Sequence, residues 1–212
     1  MILGVHSATF VKNWHEDVKP YIHLCKKAGY KSVEVSLLGQ TPSSAKEIAK
    51  LANDLNISIT CTTGLSNEED ISSSDPVIQQ NGVDALKRAI DMTAIMQAKL
   101  LTGVVHAAWG ISNSMGKDKE GKFQNSSHSI KKITSLLSEK NIKLGIEPLN
   151  RYESDFINTV DEGIRLCELI DHPNVGLLLD AYHMNIEEKN MCQSIEKAGD
   201  RIFHFQVAEN DR

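Results

Sequence analysis

Residues 142–180 read IKLGIEPLNRYESDFINTVDEGIRLCELIDHPNVGLLLD. The apolar runs at its two ends, 142–147 and 175–180, have the length of strands, and the segment 160–170 between them carries apolar residues at helical spacing. Parallel strands need such a crossover, because a tight turn joins only antiparallel neighbours. The same alternation extends in both directions. Further strands are predicted at 2–7, 32–37, 57–62, 99–105 and 202–207, and further helices at 17–28, 43–55, 75–98, 126–140 and 191–198. Thr41-Pro42 and Ser74-Asp75-Pro76 set a capping residue before a first-turn proline, while Gly29 and Gly199 stand at helix C-termini. Units of this kind build either an open doubly wound sheet or a closed barrel. No strand is followed by the glycine-rich phosphate fingerprint of a nucleotide-binding sheet, so an α/β barrel is expected.

The composition sets outer limits. With 41% hydrophobic and 24% charged residues, the 212-residue chain has the balance of an ordinary globular protein. A formal net charge of −5 gives no electrostatic reason to bind nucleic acid. No apolar run is long enough to span a bilayer, so no membrane partner is expected. Cys25, Cys61, Cys167 and Cys192 have no CxxC spacing and read as buried thiols in a reducing compartment. The start of the chain shows no basic leader, and a cytoplasmic location is expected.

Side chains alternate across a strand, so the apolar set facing the helices identifies the inward set by elimination. In 142–147, Leu144 and Ile146 face outward and Gly145 and Glu147 inward. In 175–180 the inward residues are Gly176, Leu178 and Asp180, and in 202–207 they are His204 and Gln206. Three neighbouring strands thus deliver two carboxylates and His204 or Gln206 to one mouth of the barrel. Carboxylates brought together away from water need a shared cation or proton. Mostly oxygen ligands favour Mg²⁺ or Mn²⁺, with Co²⁺ next, over a structural Zn²⁺. Glu34 is inward on the second strand and reads as a further site residue or as a buried carboxylate satisfied by the backbone or a lysine, the second being preferred. His6 and His106, at strand ends, read as hydrogen-bonded lining residues. The stretch 109–122 has no predicted structure and follows the fourth strand, where the active-site loops of barrels lie.

Several segments together resemble the ketose 3-epimerases, the D-tagatose and D-allulose 3-epimerases of the xylose isomerase-like sugar isomerase/epimerase TIM barrels. They are Cys61-Thr62-Thr63-Gly64-Leu65, Ala107-Ala108-Trp109-Gly110, Gly145-Ile146-Glu147-Pro148-Leu149-Asn150-Arg151-Tyr152-Glu153, Leu179-Asp180-Ala181-Tyr182-His183-Met184-Asn185 and Glu209-Asn210-Asp211-Arg212. The resemblance implies a (β/α)8 TIM-barrel type, with residues 1–212 as a single xylose isomerase-like barrel domain that lacks the eighth βα unit in this chain. It implies an isomerase that epimerises a ketose at C3 through an enediolate, with a divalent metal (Mn²⁺, Mg²⁺ or Co²⁺) as cofactor. Glu147 would be metal ligand and acid/base, Asp180 a second ligand, and Glu153, His183 and Arg212 would hold the sugar. The third ligand of the family is a histidine, and Gln206 occupies its position here. The fourth ligand and second base is a glutamate on the eighth strand. A small-molecule sugar is the implied partner, and a homodimer or homotetramer the implied assembly.

Gln206 keeps a second reading open, since barrels that isomerise hydroxypyruvate or dehydrate hydroxy acids resemble this sequence in using glutamine there. A non-catalytic sugar-binding barrel is the reading if the second base is absent. An abasic-site endonuclease needs more His and Asp ligands and a basic face, and neither is evident.

Overall fold

The structure, a computed structural model, describes residues 2–110 and 118–209. Seven parallel strands form one sheet in sequence order: β1 Gly4–His6, β2 Ser32–Ser36, β3 Ser58–Leu65, β4 Leu100–Ala108, β5 Lys143–Ile146, β6 Val175–Asp180 and β7 Ile202–Gln206. Every adjacent pair is parallel. The helices are α1 Lys19–Lys27, α2 Pro42–Leu55, α3 Pro76–Ile95, α4 Lys119–Lys131, α5 Thr134–Lys140, α6 Val160–Ile170, α7 Ala181–Glu187 and α8 Met191–Ala198.

Local chemistry accounts for the helix starts. Thr41 and Thr159 each form a capping box, with Ser44 and Glu162 respectively, and Asp75 accepts from the backbone of Val77 and Ile78 ahead of α3. The apolar stripe of α2, Ala45, Ile48, Ala49 and Ala52, is buried at the spacing of one helical face. One hydrophobic cluster joins these helices to the outward side of the sheet, with Val33, Val35, Leu101, Leu144, Ile146, Leu177 and Leu179 among its strand residues.

The opposite side of the sheet curls around a polar interior. Glu34 on β2 accepts a hydrogen bond from Thr102 Oγ1 on β4 at 2.9 Å and from Gln206 Nε2 on β7 at 2.9 Å. Strands far apart in the sheet order therefore meet across the middle, as they do in a barrel.

Two elements depart from expectation. No helix is predicted directly after Asp180, yet the segment folds as α7, because Asp180 Oδ1 accepts from the Tyr182 backbone N–H at 2.8 Å and starts the helix. The helix expected at 126–140 begins earlier, at Lys119, and divides into α4 and α5. Asp118 caps it through the Gly121 N–H at 2.8 Å, and a Cβ at Gly121 would lie 2.2 Å from that carboxylate. A glycine that looks like loop punctuation thus serves a cap. Residues 111–117 of the expected loop lie outside the described residues.

Three of the four cysteines are buried as expected, and Cys192 is exposed. Burial pushes the Cys61 thiol up to about 12, which leaves it inert. No helix among the described residues is long and apolar enough to cross a membrane.

Candidate metal centre

Glu147 follows β5 directly, and Asp180 ends β6. Both are buried, at 8% and 4% exposure, which is rare for carboxylates without a partner. The backbone N–H of Glu147 donates to Gly103 O on β4 at 3.2 Å, which fixes where its side chain leaves the strand. Asp180 divides its two oxygens. Oδ1 caps α7, and Oδ2 lies 3.8 Å from His183 Nε2. His183 Nε2 also lies 3.6 Å from Glu147 Oε1. One ligand atom from each of Glu147, Asp180 and His183 falls within 4.8 Å of the other two. The two buried carboxylates fit a hard divalent cation, for which oxygen is the preferred donor.

The ring of His183 is held from its other side. The backbone N–H of Asn150 donates to His183 Nδ1 at 3.0 Å, so in the neutral ring the proton sits on Nε2. His183 therefore presents an N–H to the centre, which suits donation to a sugar oxygen better than metal ligation. Asn150 also donates through Nδ2 to Glu153 Oε1 at 3.0 Å and accepts from the Tyr152 N–H at 2.9 Å. This asparagine, buried at 1% exposure, links two candidate residues, His183 and Glu153, and sequence reasoning passed over it. Its place three residues before Glu153 is the signal that it caps the turn.

The turn is clamped from outside. Arg151 Nε and Nη2 each donate to Glu187 at 2.9 Å, and the Arg151 backbone N–H adds a third bond at 2.7 Å. The hydrogen bond from the Arg151 side chain holds the Glu187 carboxyl below its ordinary value, against the opposing effect of burial.

The remaining candidates are distributed as follows. Gln206 is the register partner of Asp180 on the adjacent strand, and its Nε2 donates to Glu34. His204 Nε2 lies 3.2 Å from the same Glu34 oxygen. The preferred reading of Glu34, a carboxylate satisfied by lysine or backbone, is corrected: its partners are Thr102, His204 and Gln206. Burial penalises its charge, yet the His204 hydrogen bond, the charges of His6 and His204 and the Gln206 amide prevail and hold its pKa below the ordinary value. Arg212 lies outside the described residues.

The model of the xylose isomerase-like TIM barrel family matches residues 22–212. The chain belongs to that family. It is 29% identical over 217 residues to a D-psicose 3-epimerase of Enterocloster bolteae, covering 100% of this chain and 72% of the relative. It is 30% identical over 210 residues to an L-ribulose 3-epimerase of Methylomonas sp., covering 99% of this chain and 73% of the relative. A crystal structure of a D-psicose 3-epimerase in the presence of D-fructose superposes with a TM-score of 0.94 at 29% identity, covering 100% of this chain and 74% of that one. Within the xylose isomerase-like barrels, the chain is a member of the ketose 3-epimerase group.

His106 lies on β4 of this barrel and corrects another expectation. Its ring is fully buried, and neither ring nitrogen has a hydrogen-bond partner among the described residues. Instead it packs against Phe156, with ring centroids 5.8 Å apart. Burial, with a smaller contribution from the Lys122 charge, lowers its pKa from 6.5 to about 3. The unfolded chain binds this proton and the folded chain does not, so stability falls as pH drops from 6.5 towards 3. The expected loss is on the order of 1 kcal/mol per pH unit. Urea unfolding between pH 7 and pH 5 should give a steeper decline for the parent than for His106→Leu, and equal slopes would refute the assignment.

Proposed function

We propose that this protein is a divalent-metal-dependent epimerase that inverts a free ketose at C3. The observation that carries this reading is the approach of Glu147 and Asp180, buried at the ends of adjacent strands, and of His183 in the first turn of α7 to within 4.8 Å of one another, in a member of the ketose 3-epimerase group. Glu147, Asp180 and Gln206 would hold the cation, taken to be Mn²⁺, Mg²⁺ or Co²⁺. When bound, it polarises the ketose carbonyl and the adjacent hydroxyl.

The chain's own groups remove the proton and hold the sugar. Glu147 takes the C3 proton as a general base, leaving an enediolate. His183, held as the Nε2–H tautomer by Asn150, donates to a sugar oxygen and stabilises the negative charge that develops there. Glu153 is fixed by the Asn150 amide and accepts from a sugar hydroxyl, with Arg212 as a further sugar ligand. Inversion then requires a second acid to protonate C3 from the opposite face, the role that the family resemblance gives to a glutamate on an eighth strand outside residues 1–212. In this reading residues 1–212 work as one barrel domain, in the cytoplasm, as a homodimer or homotetramer.

The test is proton exchange. With Mn²⁺ in D₂O, the chain should introduce deuterium at C3 of D-psicose or L-ribulose, followed by NMR, and EDTA should stop it. Metal-dependent sugar binding without exchange would replace this reading with a non-catalytic sugar binder.

A further inference from the structure

We infer that Glu34 is a positioning residue whose carboxylate fixes the side-chain amide of Gln206 so that Oε1, rather than Nε2, is offered to the cation at Glu147 and Asp180. The inference rests on the metal-dependent reading above. Gln206 is the register partner of Asp180, so the two side chains leave neighbouring strands on the same face. An amide has two ends of similar size, and only its oxygen can ligate a hard cation. An unrestrained glutamine would offer the wrong end part of the time.

Glu34 removes that ambiguity. An ionised carboxylate accepts hydrogen bonds and donates none, so the Gln206 end that meets Glu34 Oε2 at 2.9 Å must be Nε2. The oxygen then points elsewhere, and no hydrogen bond to it is found among the described residues. Glu34 is itself immobilised. Its Oε1 accepts from Thr102 Oγ1 at 2.9 Å, and Oε2 also meets His204 Nε2 at 3.2 Å. At 4% exposure it is shielded from competing water. A buried charge is an expensive way to fill a strand interior, and a role in orienting Gln206 explains why an acid stands there.

Mn²⁺ titration calorimetry on the full chain tests this. Glu34→Gln lets the partner amide adopt either orientation, and Glu34→Asp keeps the charge but withdraws it from Gln206. Each should weaken Mn²⁺ binding by roughly 10- to 100-fold. In a Gln206→Ala background, Glu34→Asp should change the affinity by about twofold at most, because the coupled partner is gone. A role confined to folding, or to the charge of Glu34 alone, leaves the two effects multiplicative, and that result overturns the inference. Unaltered Mn²⁺ affinity in Glu34→Gln and Glu34→Asp overturns it as well. Parent binding that is indifferent to Glu147→Gln would bring down the metal-centre reading itself. Binding that depends on Glu147 but ignores Glu34 removes only this step.

Discussion

Glu147→Gln is expected to lower ketose turnover by about 10³-fold or more, with a matching loss of C3 proton exchange and weaker Mn²⁺ binding. Two effects combine in that one change. Removing a positioned acid/base costs on the order of 10²- to 10⁴-fold by itself. The substitution also replaces a charged ligand by a neutral amide at a centre that holds only two buried carboxylates among the described residues within reach of one ion. The fold should survive. Glutamine is nearly isosteric, and the backbone N–H of residue 147 keeps its bond to Gly103 O. Turnover within tenfold of the parent, measured at saturating Mn²⁺, would show that Glu147 is not the base.

The second large effect is on stability. Gly103 lies in mid-strand on β4 with φ +112°, a conformation that side-chain-bearing residues rarely adopt. A Cβ there would lie 2.2 Å from Thr63 O and 2.7 Å from Thr62 Oγ1, and the first of these is backbone that cannot turn aside. Conformational strain of about 1–3 kcal/mol and a similar amount from overpacking give about 2–6 kcal/mol for Gly103→Ala. For a chain of this size that corresponds to a Tm roughly 10 °C lower. Gly110 separates the two contributions. Its φ is +120°, yet nothing lies within 4 Å of where a methyl group would stand, so Gly110→Ala should cost only the conformational part. Thermal unfolding of both variants checks this. A Tm for Gly103→Ala within about 2 °C of the parent would contradict the argument. Because Gly103 O also receives the Glu147 N–H, the same substitution should disturb the metal centre.

The strands and most helices were legible because short-range rules govern them. Period-two alternation placed Glu147, Asp180, His204 and Gln206 on one face, and a capping residue before a first-turn proline marked α2 and α3. What escaped depends on contacts distant in the chain. That Glu34 meets Thr102 and Gln206, 68 and 172 residues away, is a property of the curled sheet's interior and has no local signature. The helix α7 was hidden for a different reason. A seven-residue helix carries too little apolar periodicity to be recognised. His106 was misjudged because burial without a hydrogen bond runs against the usual rule for polar side chains.

The two oxygens of Asp180 restrict what selection can accept at that position. Asparagine would still start the helix but would surrender the negative charge. Glutamate would retain the charge but is a poor helix starter, and its extra methylene would carry the carboxyl beyond the Tyr182 N–H. Serine or threonine would serve the helix alone. Of the ordinary amino acids, aspartate alone would meet both demands of the proposed metal centre and the helix start, so in that reading the position has an alphabet of one letter.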